Sequence, residues 1–453
     1  MRLVAGIASL CCGCLAAARP LVFGPLDTQG ELHVQVLPAP ASAAKFASRI
    51  LSIRARAADG QEWPLQLERT SLEGFDHPRL LAWGRLEPGA YSGLEMHVDK
   101  AAADGAPVPE RAVRIEAPFA IERRRALVLR LHPGRPPDAE AMPVFTALAA
   151  QRPLPELAGY CTSGDLHEVS VFDKRARLLA AVLPAGRGPW GVAVDPAQGR
   201  VYVALSGDDE VQVIDSASLE ERARIRLQPG DAPREAALTP DRRLLLVANA
   251  GSNTVAFLDP SAMVEVGRVA VGQAPSALLV DRLGARAYAF NARSAFVSVI
   301  DIGARAVAAS IATDYGPLRG QLNRAGDRLY VLATSSPYLT AFAVPAYQQT
   351  GRVHVGLGAS GLKVDPATDL LYVAEGGPRR LAVYDPFSLL PIDFIDLPGG
   401  GAYMAIADAE GALFVLLPER RSAAVIDLAS RRLRAEMDLG PSPRVLALAG
   451  ERY

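Results

Sequence analysis

The stretch VYVALSGDDEVQVIDSASL (201–219) decides the fold. VYVAL is a short β-branched apolar run, EVQVID alternates polar and apolar positions, and a turn-forming SGDD lies between them. That is the signature of two paired β-strands. The phrase returns as LLLVANAGSNTVAFLDPSAM (244–263) and as LYVAEGGPRRLAVYDPFSL (371–389). Written out in full, a unit of about 42 residues recurs from Leu166 onward. Its acid-ended strand appears as EVSVFD (168–173), EVQVID (210–215), TVAFLD (254–259), FVSVID (296–301), LAVYD (381–385) and AAVID (423–427). Next comes a strand such as ARIRL (223–227) or GRVHV (351–355). A Gly/Pro loop then leads into another, as in GPWGVAVDP (188–196), APREAALTP (232–240) and SPRVLALAG (442–450). The last strand has a Tyr or Leu centre, as in RAYAFNA (286–292) and RLYVLAT (328–334).

Four short antiparallel strands per unit, repeated radially, make a β-propeller, which shields its sheet edges by repetition. Innermost strands near 190, 235, 277, 319, 361, 403 and 445 predict seven blades. The last of these lacks a following partner. ELAGYCTSGD (156–165) resembles the second strand of a unit. The final blade is therefore expected to combine the C-terminal strand with three strands from about 157–183. These repeats resemble the YVTN-repeat propeller family over roughly residues 156–453. The resemblance implies a fold; the family mixes surface proteins, sensors, accessory factors and relatives of enzymes.

Residues 24–134 show no such unit. ELHVQVLPAP (31–40), RILSIRARA (49–57), AYSGLEMHVDKA (90–101), RAVRIEA (111–117) and ALVLRLHP (126–133) alternate between Gly, Pro and Asp breaks. The spacing predicts an antiparallel β-sandwich of about seven strands. LEPGAYSGLEMHVDKA (86–101) resembles a sandwich domain of uncharacterised bacterial lipoproteins. Residues 135–155, with prolines at both ends, read as a linker. The whole is thus expected to be all-β, a sandwich followed by a propeller.

The segment 1–20, MRLVAGIASLCCGCLAAARP, has an early arginine, an apolar run and a small-residue end. It reads as a signal peptide. Two fates stay open: cleavage near Arg19, or acylation of Cys14. Either implies export to the periplasm or a lipid-anchored place on the envelope, with membrane contact only through that anchor. Removing the segment leaves Cys161 as a single thiol, read as buried and inert.

The chain has 453 residues with 48 basic and 49 acidic side chains, a net charge of -1. That balance excludes a polybasic nucleic-acid binder, which needs excess cations for phosphates. Only four lysines occur (Lys45, Lys100, Lys174 and Lys363), so nearly all positive charge is arginine. Six histidines (His33, His77, His97, His132, His167 and His354) show neither HxH nor HxxxH spacing, and none is placed at the channel. No metal site and no cofactor is expected. No CxxCH, GxSxG, P-loop or HExxH is present. Asp173, Asp215, Asp259, Asp301, Asp385 and Asp427 each end a strand and are read as turn caps, not as calcium ligands. No catalytic residue emerges.

The sharper candidate is the mouth of the central channel. Loops entering the inner strands carry Arg187, Trp190, Arg234, Tyr315, Arg319, Tyr403 and Arg444. Arginines and aromatics converging on one funnel make a cationic, stackable surface. Asp208, Asp209 and Glu375 lie on neighbouring loops and are expected to neutralise part of it. The expected function is an exported, non-catalytic binding or scaffold protein, with a protein partner or small anionic ligand on the propeller face. The alternative is a propeller enzyme, lactonase-like or a cofactor-dependent oxidoreductase.

Overall fold

The computed structural model describes residues 28–38, 48–71, 78–100, 111–134 and 144–451. Residues 1–20, read from sequence as a signal peptide, and Cys14 within them lie outside the described residues.

Eight strands build the N-terminal module: β1 (Gly30–Val36), β2 (Ser48–Ala57), β3 (Glu62–Leu67), β4 (Arg79–Leu86), β5 (Gly89–Lys100), β6 (Arg111–Ile121), β7 (Ala126–Gly134) and β8 (Val144–Ala149). They form one sheet in the order β6-β5-β2-β3-β4-β1-β7-β8. The sheet folds over at β3, which pairs with β2 up to Leu65 and with β4 from Gln66. Its edges β6 and β8 come into contact, so the sheet nearly closes on itself. Leu32, Val34, Ile53, Leu94, Met96 and Leu131 fill the space inside. Three details depart from the sandwich drawn from sequence. The two halves are one continuous sheet. β1 and β7 run parallel. Val144–Ala149, within the stretch read as linker, is the strand β8 paired with β7.

The propeller has seven four-stranded blades. Six are sequential, with inner strands Pro189–Asp195, Pro233–Leu238, Pro275–Val280, Pro317–Leu322, Gly361–Val364 and Met404–Ala407. The seventh joins the C-terminal strand Pro443–Leu448 to β9 (Ala158–Ser163), β10 (Glu168–Asp173) and β11 (Leu178–Pro184). Val445 pairs with Thr162 and Ala447 with Tyr160, as the closure argument requires.

A single position explains how one repeat makes seven similar blades. The second strands place Tyr160, Tyr202, Leu246, Tyr288, Tyr330, Tyr372 and Phe414 in register, each opposite a residue of the third strand. All are buried, and they pack between neighbouring sheets. Where the large ring is missing, at Leu246, its partner across the strand is Phe257, which restores the volume. Every blade also carries a bulge between its third and fourth strands, such as Val213/Ile214 and Val425/Ile426. Bulges increase the twist that lets flat sheets pack radially.

The strand-ending acids do cap turns. Asp215 accepts from the backbone N–H of Ala217 and Ser218 at 3.0 and 2.9 Å, and Asp259 from Ser261 and Ala262 at 2.8 and 2.9 Å. Asp173, Asp301, Asp385 and Asp427 do the same in their own turns. Cys161 is fully buried, and burial pushes its thiol up to about 12, so it is inert.

The two modules share a seam. Leu80 and Trp83 pack on Leu166, and Val128 packs on Leu179 and Val182. A buried ionic knot lies beside them. Arg79 reaches Asp438 at 2.9 Å and Glu436 at 3.1 Å. Asp438 also accepts the Leu80 backbone N–H at 2.7 Å, and Arg420 holds Glu436 at 2.7 Å.

Candidate functional site

The funnel is built by the way the inner strands start. Five begin with proline, preceded by Gly188, Ala232, Ala274, Gly316 or Ser442 at φ between 45° and 75°. Proline disfavours the right-handed helical region for the residue before it. Each strand therefore leaves its turn with the same geometry, and its second residue reaches the same level at the mouth. In the C-terminal strand and the next two around the ring, those second residues are Arg444, Trp190 and Arg234. Register alone sets the indole between two guanidinium groups. The Arg234 guanidinium carbon lies 3.8 Å from the indole centroid and that of Arg444 4.5 Å. Arg319 lies 4.4 Å from the ring of Tyr403. The blade between those two presents Ser360 and Gly361, small enough to let the arginine pass. Stacking of this kind holds the guanidinium planes in place without using their N–H donors.

The charges at the mouth are incompletely compensated. Arg444 has a carboxylate partner, Asp165, at 2.7 Å. Arg234 and Arg319 have no ion pair among the described residues, and Arg319 Nε is buried with no hydrogen-bond partner. Burial and the nearby Arg444 and Arg293 charges lower the Arg234 pKa, which shows like charges crowded together.

Below the mouth the channel encloses about 400 Å³. Its wall includes Arg319 and Tyr403 with Glu235, Gln321, Lys363 and Glu451. Glu235 is buried, and its carboxyl is pushed up to about 7 by desolvation, with Arg319 holding the rise back. Deeper down, Lys363 and Glu451 form a buried pair at 2.6 Å.

The seven residues picked from sequence thus separate. Trp190, Arg234 and Arg444 form one stack, and Arg319 with Tyr403 forms another. Tyr315 is exposed and joins neither ring contact; its carbonyl accepts the Ser335 hydroxyl. Arg187 is a correction. Its Nε is fixed on Asp208 at 2.6 Å, and it lines a groove with Arg125, Arg152 and Glu220 rather than the channel. Asp209 caps the Gly230 and Ala232 backbone, and Glu375 takes Arg380, so neither neutralises the stacks. Glu235, Lys363 and Glu451 were missed. A lone acid beside Arg234 in APREAALTP was their one available signal. His167 and His354 stand away from the channel: the His167 ring accepts the Gly188 N–H, and His354 packs on Tyr338.

A family model described as YNCE-like beta-propeller matches residues 171–268. No curated protein matches the chain. Among solved structures, hydrazine synthase of Kuenenia stuttgartiensis is similar at 18% identity and a TM-score of 0.51, over 57% of this chain and 88% of that one. The dihydro-heme d1 dehydrogenase NirN, in complex with DHE, is similar at 14% identity and a TM-score of 0.53, over 66% and 77%. A protein of unknown function from Desulfotomaculum acetoxidans DSM 771 is similar at 12% identity and a TM-score of 0.56, over 64% and 98%. At these identities the likeness is one of fold.

Proposed function

We propose that this chain is an exported, non-catalytic binding protein of the bacterial cell envelope. Its channel mouth takes a carboxylate-bearing ligand, either a small anion or an acidic segment of a partner protein. One observation carries this reading. Arg319, stacked on Tyr403, presents a buried, unpartnered Nε to the channel, while Arg234, stacked on Trp190, is crowded by the charges of Arg444 and Arg293; both guanidinium groups are already held by aromatic rings. An arriving carboxylate supplies the missing acceptor in two-pronged geometry and relieves the crowding of like charge. Little side-chain freedom remains to be lost on binding.

Titration of the full chain with citrate and with an oligoglutamate peptide tests it. Binding of at least one should weaken as salt rises. The change Arg319→Gln removes a charge-assisted contact of about 1.5–3 kcal/mol, roughly a tenfold to hundredfold loss. Joint neutralisation of Arg234, Arg319 and Arg444 should abolish capture; unchanged capture rejects this face. The pH dependence has a definite sign. Below about 7 Glu235 is neutral, and above it the carboxylate ionises beside Arg319 and competes with the ligand. Anion affinity should therefore fall as pH rises through about 7, and Glu235→Gln should flatten that fall.

The enzyme alternative draws on the hydrazine synthase and NirN likenesses. It would require metal or haem ligands in the channel, and no histidine stands among the described residues of its wall. Its acids and Lys363 fit binding better than ligation.

A further inference from the structure

β1 carries GELHVQV, and its alternation divides it cleanly. Leu32, Val34 and Val36 face the apolar interior of the N-terminal module. Glu31, His33 and Gln35 share the opposite face, yet all three are buried, at 0–1% exposure. The seam with the propeller covers them. Glu168, the first residue of β10, arrives from the other module and is equally buried. Ligating atoms of Glu31, His33 and Glu168 all lie within 4.8 Å of one another.

These groups are poorly satisfied as they stand. His33 Nε2 is 2.9 Å from Glu31 Oε1, but in a geometry too bent for a hydrogen bond. His33 Nδ1 and Glu168 Oε1 are buried with no hydrogen-bond partner. The indole of Trp83 stacks over His33 and fixes its plane. Arg85, opposite Glu31 in the ladder, supplies one positive charge to two carboxyl groups. Buried carboxylates need pairing or a bound cation.

We propose that Glu31, His33 and Glu168 form a site for one divalent transition cation, of which Zn²⁺ is the probe, joining the two modules across their seam. One imidazole nitrogen and two carboxylate oxygens are a donor set suited to Zn²⁺ or Mn²⁺. Tetrahedral ligation at about 2.0–2.2 Å sets donors roughly 3.3–3.6 Å apart, so the widest pair closes by up to about 1.5 Å as the ion binds. The site is closed to solvent, so the ion's role is structural. It is separate from the channel mouth and does not depend on the ligand assigned there.

The test uses the full chain, stripped by a chelator, exposed to Zn²⁺ alone and dialysed. One Zn²⁺ per molecule should remain by elemental analysis, and the melting temperature should rise. Glu168→Gln and His33→Gln should each cut retained metal by about tenfold or more. Wild-type protein that retains no Zn²⁺, or variants that keep a full equivalent, overturn the proposal. If a variant fails to fold, Co²⁺-loaded wild-type protein decides. A shifted His33 ring resonance supports the site; Co²⁺ uptake with no shifted histidine sinks it. Glu168→Gln protein as stable as its parent, with no metal in either, would mean that a shared proton fills the gap.

Discussion

Removing residues 443–453 should leave a chain that no longer unfolds cooperatively and accumulates in aggregates. The deleted strand buries Val445, Leu446 and Leu448 and completes the ladder of β9. At about 1.5–3 kcal/mol for each large apolar side chain, the loss is roughly 5–9 kcal/mol. That is most of the 5–15 kcal/mol by which a domain is ordinarily stable. It also exposes an unpaired edge on β9. Urea melts followed by tryptophan fluorescence and light scattering check this. A synthetic peptide spanning the deleted strand should restore a cooperative transition. A truncated chain with the parent's midpoint would mean that the ring does not depend on this closure.

The second large effect is expected at the module seam. Arg79→Ala should cost about 3–5 kcal/mol, because it leaves Asp438 and Glu436 buried with fewer cations. Arg420 still holds Glu436, and the Leu80 N–H still reaches Asp438, which favours the lower end of that range. Loss of the knot should also separate the unfolding of the two modules into distinct steps. The pH profile follows from Glu436. Burial raises its carboxyl, but hydrogen bonds from Arg420, Ser422 and Arg79 outweigh that and bring it to about 2. A depressed carboxyl contributes its full stability above its unfolded value of 4.5 and loses it as pH falls toward 2. Wild-type stability should therefore decline between about pH 4.5 and 2, and Arg79→Ala should make that decline shallower. Calorimetry across that window reads both effects.

How much was legible in sequence depends on how local each signal is. The blade count and the closure were readable because period-2 alternation and turn residues repeat within each unit of chain. The parallel pairing of β1 with β7 was not, because strand direction is set by a distant partner and leaves no mark in either strand. β8 was hidden by the prolines around it, which resemble a linker. At the funnel, the Arg444, Trp190 and Arg234 stack follows from register and could be anticipated. Arg187 occupies the same loops, but Asp208, 21 positions on, captures it, and loop arginines look alike before their partners are known. Glu235 looks like any surface acid in sequence; only the ring around it makes it a buried one. The Glu31 and His33 pair is an ExH step that puts both groups on one strand face. A search for paired histidines passes over it, and its third member comes from the other module.

The seventh blade has a consequence for how the molecule comes into being. β9, β10 and β11 emerge from synthesis early, whereas the backbone that Ser163 contacts at Pro441 follows 278 positions later. Bringing two points so far apart together costs about 5 kcal/mol of chain entropy before any contact is made. Until then three strands wait with one side open, able to recruit the wrong neighbour. Maturation is therefore gated by the arrival of one short segment, and a helper that shields β9 in the interval would raise the yield of finished molecules without altering their final stability.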